Sequence, residues 1–436
     1  MAAGDPRSAT SFNRGLAALT AAGLAVRIAF LLLEPHAELA GDESTWTALA
    51  ITGLARLRRP FSPFKSPILF YPPAYPYFLA AGYAWLGSLE AVKWVQAVLG
   101  ALLVPAVGRV GALAFAPRAG LFAAGIVAFY PELVWFSVHF WSETLFLVLL
   151  WWAFERALAA HASGRRGAAV AAGALWGLAA LTRETALYFA PLVGLWLAWG
   201  RGREAERAAW RPALGAVFLA AMTLTVAPWT YRNWVVFHAF VPVSTFGAHS
   251  LWQGNTRLPL DEFYRQTDSV PDPIPQYRLA RERAWAAIRE RQPRWLLEKL
   301  RVEMPEFWGP GSHVFVLIDR DAYGPVGPGI RRLVRAVTVV PYLAVLALAV
   351  PGLAALRLTP ARGLLVLFLA YYNALHVVTY GQDRFRLPVM PVLFLAAGEA
   401  WASFRAGTFP ALSPWRRVLL LALASAAVAV LLPGYS

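Results

Sequence analysis

Residues 167–200 read GAAVAAGALWGLAALTRETALYFAPLVGLWLAWG. Two apolar runs, 167–182 and 185–200, stand on either side of one adjacent pair of charges, Arg183-Glu184. Similar runs recur at 15–33, 91–110, 118–136, 140–158, 212–230, 333–356, 363–380, 387–404 and 416–432. Most approach the roughly 17–25 residues with which a helix crosses about 30 Å of hydrocarbon. Lipid offers a backbone no hydrogen bonds, and a helix satisfies its own. The sequence therefore predicts an all-α, polytopic membrane protein of about eleven transmembrane helices. Composition agrees: 58% of the 436 residues are hydrophobic and 15% charged, against about 25% charged in soluble domains. The mean hydropathy is +0.49.

The net charge of +15 is spread in a way that argues against nucleic acid. Much of it sits in short connections at 109–118, 156–166, 201–211, 357–362 and 405–417, and Arg7 and Arg14 precede the first run. All these fall on one side of an eleven-span topology, as the positive-inside rule requires, so the N-terminus is expected in the cytoplasm. The run 15–33 is longer than a signal-peptide core and is followed by Glu-Pro-His, so it reads as a retained span. The stretch Tyr75 to Leu86 is short and follows a proline-rich turn, which suits a re-entrant or surface helix. Two segments then remain outside, 34–90 and about 231–332. The chain divides accordingly into 1–232, an external region 233–332 and C-terminal spans in 333–436. Within the external region, Tyr277 to Lys299 mixes Arg and Glu with Trp285, Ile288, Trp295 and Leu296, the pattern of an amphipathic surface helix. There is no cysteine, hence neither disulfides nor thiolate metal sites.

Ionisable groups in or beside spans are the informative ones. Asp42-Glu43 follows Gly41 at the outer end of the first span; the pair could supply a general base and a cation ligand, or simply begin a helix. His139 and Glu143, four apart, would share one helix face, half of a ligand set for a divalent metal ion. Glu132 sits near the same outer end. Arg183 and Glu184 point about 100° apart on a helix, so each is expected to find its partner elsewhere. Arg27 lies inside the first span, where it could snorkel outward or reach Glu34. In Gln382-Asp383-Arg384-Phe385-Arg386-Leu387-Pro388, two arginines precede a proline suited to a helix start, an arrangement that favours an anion such as phosphate.

Taken in order, these pieces resemble a known family. Gly41-Asp42-Glu43, Tyr71-Pro72-Pro73-Ala74-Tyr75-Pro76, Ser142-Glu143-Thr144-Leu145-Phe146 and Leu181-Thr182-Arg183-Glu184 are followed by Tyr231-Arg232-Asn233-Trp234. Val243-Ser244-Thr245-Phe246-Gly247, Leu251-Trp252-Gln253-Gly254-Asn255 and Arg384-Phe385-Arg386-Leu387-Pro388 come next. The set is similar to GT-C glycosyltransferases of the bacterial protein O-mannosyltransferase-like superfamily, including its aminoarabinose transferase and RgtA/B/C/D-like branches.

The resemblance implies a GT-C fold with external juxtamembrane helices, lying in the bilayer of the cell (inner) membrane. It implies transfer of a sugar from a polyprenyl-phosphate donor to an acceptor hydroxyl at the extracytoplasmic face, with inversion. It places catalytic acids at Asp42, Glu43 and Glu143 and donor-phosphate cations at Arg232, Arg384 and Arg386. Tyr71, Tyr75, Arg183, Glu184, Trp252 and Asn255 are the expected substrate cavity, and His139 with Glu143 the candidate metal pair. Many relatives have Arg-Pro where this chain has Arg183-Glu184, so Glu184 is a departure from the pattern. The sugar and the acceptor stay open. The competing classes are a lipid flippase or transporter, against which there is no inverted repeat, and a non-catalytic assembly protein of the same fold.

Overall fold

Prolines start many of the helices, and the candidate site is assembled between helix ends. The computed structural model describes residues 6–33, 39–57, 69–201, 208–418 and 420–421. Its regular structure is helical apart from one antiparallel ladder that pairs Trp199–Arg201 with Ala208–Trp210. In chain order the helices are α1 Pro6–Leu33, α2 Asp42–Leu57, α3 Ala74–Leu86, α4 Leu89–Ala114, α5 Pro117–Phe129 and α6 Pro131–Phe136. Next come α7 Glu143–Ser163, α8 Arg166–Thr182, α9 Thr185–Ala198 and α10 Pro212–Phe237. Then follow α11 Phe246–Gln253, α12 Leu260–Asp268, α13 Pro273–Glu290, α14 Trp295–Trp308 and α15 His313–Asp319. α16 Pro328–Ala355 and α17 Pro360–Val378 precede a 3-10 turn, Asp383–Arg386, and α18 Met390–Arg405.

Pro117, Pro131, Pro212, Pro273, Pro328 and Pro360 each occupy a first-turn position. There the missing N–H costs nothing and the fixed φ suits the helix. Among the described residues, 6 helices are long and apolar enough to cross a membrane: α1, α4, α7, α10, α16 and α17. α5, α8 and α9 are shorter apolar helices. The expected span 118–136 is broken at Tyr130, which is extended (φ −65°, ψ 118°), as the residue before a proline prefers. The expected span 416–432 falls largely outside the described residues. α3 forms where a short helix was expected; at 13 residues it is about 20 Å long. The helix expected over 277–299 is two helices, because residues 291–294 form turns around Pro293, whose ring has no N–H to continue α13.

The spans approach each other through small residues. A Cβ on Gly111 would collide with the Gly120 backbone, and one on Gly173 with the Phe218 carbonyl. These contacts draw α4 against α5 and α8 against α10 to backbone distance, as membrane helices do where no hydrophobic force separates protein from lipid. Arg27, expected to snorkel or to reach Glu34, does not snorkel. It is fully buried, donating to the carbonyls of Gly23 (2.9 Å) and Ala128 (3.1 Å), and so ties α1 to α5. Glu34 lies outside the described residues.

Candidate active site

A cavity of about 500 Å³ opens between the starts of α2, α7 and α11, the α8–α9 turn and the segment 379–388. Asp42, Tyr71, Glu143, Arg183, Glu184 and Arg384 all line it. Six expected site residues, drawn from five separate motifs, thus converge on one volume.

Local geometry explains each position. Gly41 has φ +58°, a left-handed conformation open to glycine and costly for other residues. The turn it makes delivers Asp42 to the first position of α2, half-exposed, where Oδ2 accepts from Arg384 Nη1 at 2.8 Å. Arg384 projects from the 3-10 turn with its guanidinium over the Trp141 ring (4.8 Å to the centroid) and the Phe385 ring (5.2 Å). Burial would pull its pKa down, but the Asp42 and Glu143 carboxylates outweigh burial and raise it. Glu143 is buried at the first turn of α7, 2.6 Å from Arg183 Nη1. The cavity therefore holds two carboxylate–arginine pairs, Asp42–Arg384 and Glu143–Arg183.

Glu184 completes the set of acids. Its Oε2 accepts from Ser244 Oγ at 2.9 Å. Burial pushes the carboxyl up to about 7, with the Ser244 and Gly247 hydrogen bonds pulling the other way. Tyr71 is pushed up to about 12, first by burial and then by the Asp42 charge.

Other expected residues face elsewhere. Glu43 is buried beneath Asp42, accepting from the Phe140 N–H (2.8 Å), the Ala40 N–H (3.2 Å) and the Tyr323 hydroxyl (3.1 Å). It braces the loop that carries Asp42. Arg386 is also buried, donating to the carbonyls of Gly309 (2.5 Å) and Gly311 (2.6 Å) and lying 4.2 Å from the Tyr342 ring centroid. Arg232 packs over Trp229 and Phe237. The Tyr75 hydroxyl donates to Gln96 Oε1 at 2.8 Å within a separate aromatic cluster. Trp252 and Asn255 line a second, larger groove among α11, α13 and α14. There Asn255 Oδ1 accepts from Trp295 Nε1 (2.7 Å) and Arg291 Nη2 (3.1 Å).

The His139/Glu143 pair does not form. Residues 137–142 are not helical and α7 begins at Glu143, so the four-residue spacing puts the two on no common face. His139 stacks on Trp135 (4.0 Å between centroids) with Nδ1 2.9 Å from the Trp135 carbonyl. Among the described residues no group of three or more His, Asp or Glu side chains gathers as a metal site. Trp141, Trp285, His376 and Tyr380 were not anticipated; the first carries Arg384 and the others line the cavity. Nothing in their local sequence separates them from ordinary core or interface aromatics.

Residues 71–229 match the family model described as dolichyl-phosphate-mannose-protein mannosyltransferase. The chain superimposes on an Archaeoglobus fulgidus oligosaccharyltransferase in its apo form with a TM-score of 0.55 and 16% identity, over 96% of this chain and 55% of that one. The chain has the GT-C glycosyltransferase fold. The A. fulgidus oligosaccharyltransferase AglB, solved with an inhibitory peptide and a dolichol-phosphate, also has a TM-score of 0.55, at 17% identity, over 98% of this chain and 55% of that one. ArnT from Cupriavidus metallidurans, bound to undecaprenyl phosphate, has a TM-score of 0.53 at 17% identity, over 95% of this chain and 63% of that one. This GT-C chain thus spans between half and two thirds of the length of those solved structures. No curated protein matches it in sequence.

Proposed function

We propose that this chain is a membrane glycosyltransferase that moves a sugar from a polyprenyl-phosphate donor to an acceptor hydroxyl at the extracytoplasmic face of the inner membrane. The observation that carries this reading is the Asp42–Arg384 pair, a half-exposed carboxylate and a largely covered cation side by side in one cavity. Support comes also from solved neighbours of the same fold that hold dolichol-phosphate and undecaprenyl phosphate.

The reaction needs a base for the acceptor proton and positive charge for the departing phosphate. Asp42 takes the acceptor O–H proton as that oxygen attacks the anomeric carbon. The bond from that carbon to the phosphate oxygen breaks on the opposite face, which inverts the centre. The phosphate leaves with the electron pair, toward Arg384 and Arg183. Of the three arginines expected to bind donor phosphate, only Arg384 lines the cavity; Arg183 joins it, while Arg232 and Arg386 are committed to other contacts.

The test is transfer of radiolabelled sugar from a panel of polyprenyl-phosphate sugars to extracted cell-envelope glycolipid, polysaccharide and protein. Label moved by the native chain and lost in Asp42→Asn supports the reading. Labelled donors that are bound or carried across vesicles without transfer would make it a transporter.

A further inference from the structure

Glu184 lines the cavity, yet no step of the transfer uses it. It is 8% exposed. Among the described residues no Lys, Arg or His forms an ion pair with it, because neighbouring Arg183 is taken by Glu143. A carboxylate offers about four acceptor positions. Here one is used by Ser244 Oγ and one by the Gly247 backbone, leaving roughly half unfilled. A buried carboxylate with no cation beside it is costly, and further donors to its remaining acceptor positions would offset that cost.

The surroundings indicate what those donors are. A Cβ on Gly247 would meet Glu184 Oε1 and push the carboxylate aside, so the glycine lets α11 lie directly against it. Tyr188, Phe246 and Trp285 line the same cavity. Aromatic faces beside a carboxylate suit a pyranose ring: the rings cover its C–H face, and adjacent hydroxyls donate to the carboxylate. A lipid tail would leave the carboxylate unpaired, and a phosphate would be repelled by it.

We propose that Glu184 is the specificity-determining residue of a sugar subsite, accepting hydrogen bonds from two adjacent hydroxyls of a pyranose ring. The sugar chemistry rests on the glycosyltransferase reading. The ring belongs to either the donor or the acceptor, since both present the same hydroxyls.

The experiment is saturation-transfer NMR on the full chain in detergent without any lipid donor. The probes are methyl hexopyranosides and pentopyranosides with their 2-, 3- and 4-deoxy counterparts. At pH 8, where the carboxyl is ionised, at least one glycoside binds saturably, loss of one hydroxyl of a neighbouring pair abolishes the signal, and Glu184→Gln weakens binding about tenfold, the worth of a hydrogen bond to a charged acceptor. Gly247→Ala, which displaces the carboxylate without removing it, produces the same loss and serves where Glu184→Gln fails to fold. Equal binding in both variants, or no saturable binding to the native chain, overturns the proposal. Affinities for undecaprenyl phosphate and an undecaprenyl-phosphate sugar separate the sources. Glu184→Gln weakens only the sugar-bearing lipid if the ring is the donor's, and neither lipid if it is the acceptor's. Glycoside binding that depends on Glu184 in a chain that transfers nothing would sink the enzyme reading alone. Transfer with unchanged KM for both substrates in Glu184→Gln would sink the subsite alone.

Discussion

Arg384 Nη1 lies 2.8 Å from Asp42 Oδ2 although 342 positions separate the two in sequence. Either residue alone could be an interface anchor. Together, inside a cavity that also holds Glu143–Arg183, they form a site in which every charge but that of Glu184 is balanced before a substrate arrives. An incoming phosphate on Arg384 would compete with Asp42 and release its carboxylate for the acceptor. In the proposed reaction, donor binding and base availability would thereby be coupled.

Arg384 and Arg386 differ by two positions and should differ in kind. Arg384→Gln is expected to weaken donor-lipid binding by tenfold or more while the chain keeps its thermal stability. Arg386→Gln should lower stability by about 3 kcal/mol, because it leaves the part-buried Gly309 and Gly311 carbonyls without their charged donor and buried Glu132 without its cation. Thermal unfolding and lipid-binding titrations of the two variants check this. A stable Arg386→Gln chain with lost donor affinity would return Arg386 to the phosphate site.

Glu184 gives a pH dependence whose sign is fixed. Its folded pKa of about 7 exceeds the ordinary 4.5, so its contribution to stability is full below about pH 4.5 and is lost as pH rises through about 7. Over that window the loss is on the order of 3 kcal/mol. The titratable groups that interact with it, Tyr188 and Tyr371, are phenols that stay neutral there. Unfolding temperatures of the native chain and Glu184→Gln between pH 4.5 and 8 should converge at one end and separate at the other. Parallel curves would mean the buried carboxyl is not titrating.

Orientation is testable because the chain has no cysteine. Ser269, exposed at the end of α12, and Ser163, exposed at the end of α7, lie on opposite sides of the membrane in the proposed topology. A membrane-impermeant maleimide applied to intact spheroplasts should label Ser269→Cys and spare Ser163→Cys. The reverse result would put the cavity on the cytoplasmic side and end the proposed mechanism.

How much of this was legible in the sequence depended on whether a feature is local. Apolar length revealed the helices, and Gly41-Asp42-Glu43 and Arg183-Glu184 were visible as charges that lipid would not tolerate. Which charge meets which was not legible, since pairing across hundreds of positions depends on how α2, α7, α8 and the 3-10 turn pack. Asp42 and Glu43 are adjacent and both acidic, yet α2 turns one into the cavity and the other into a buried brace. The His139/Glu143 reading failed for a local reason: it assumed helix across 137–142, where the chain breaks before α7.

Asp42→Asn is the decisive substitution. The amide keeps the shape of the carboxylate and can still accept from Arg384, so the cavity should hold, and the donor should bind at least as tightly because its phosphate no longer competes with a carboxylate. What it removes is a carboxylate able to take the acceptor proton. General-base assistance is worth about 10²–10⁴ in rate, so kcat should fall by that factor with KM for the donor unchanged or lowered. Glu43→Gln is the informative comparison, because Glu43 ties the loop that carries Asp42 to Phe140 and Tyr323 and does not line the cavity. Its effect should appear as lost stability rather than as a pure kcat defect. Single-turnover transfer with preloaded donor separates the two. If Asp42→Asn transfers at the native rate, Asp42 is not the base. The role would then pass to Glu143, which lines the same cavity 2.6 Å from Arg183.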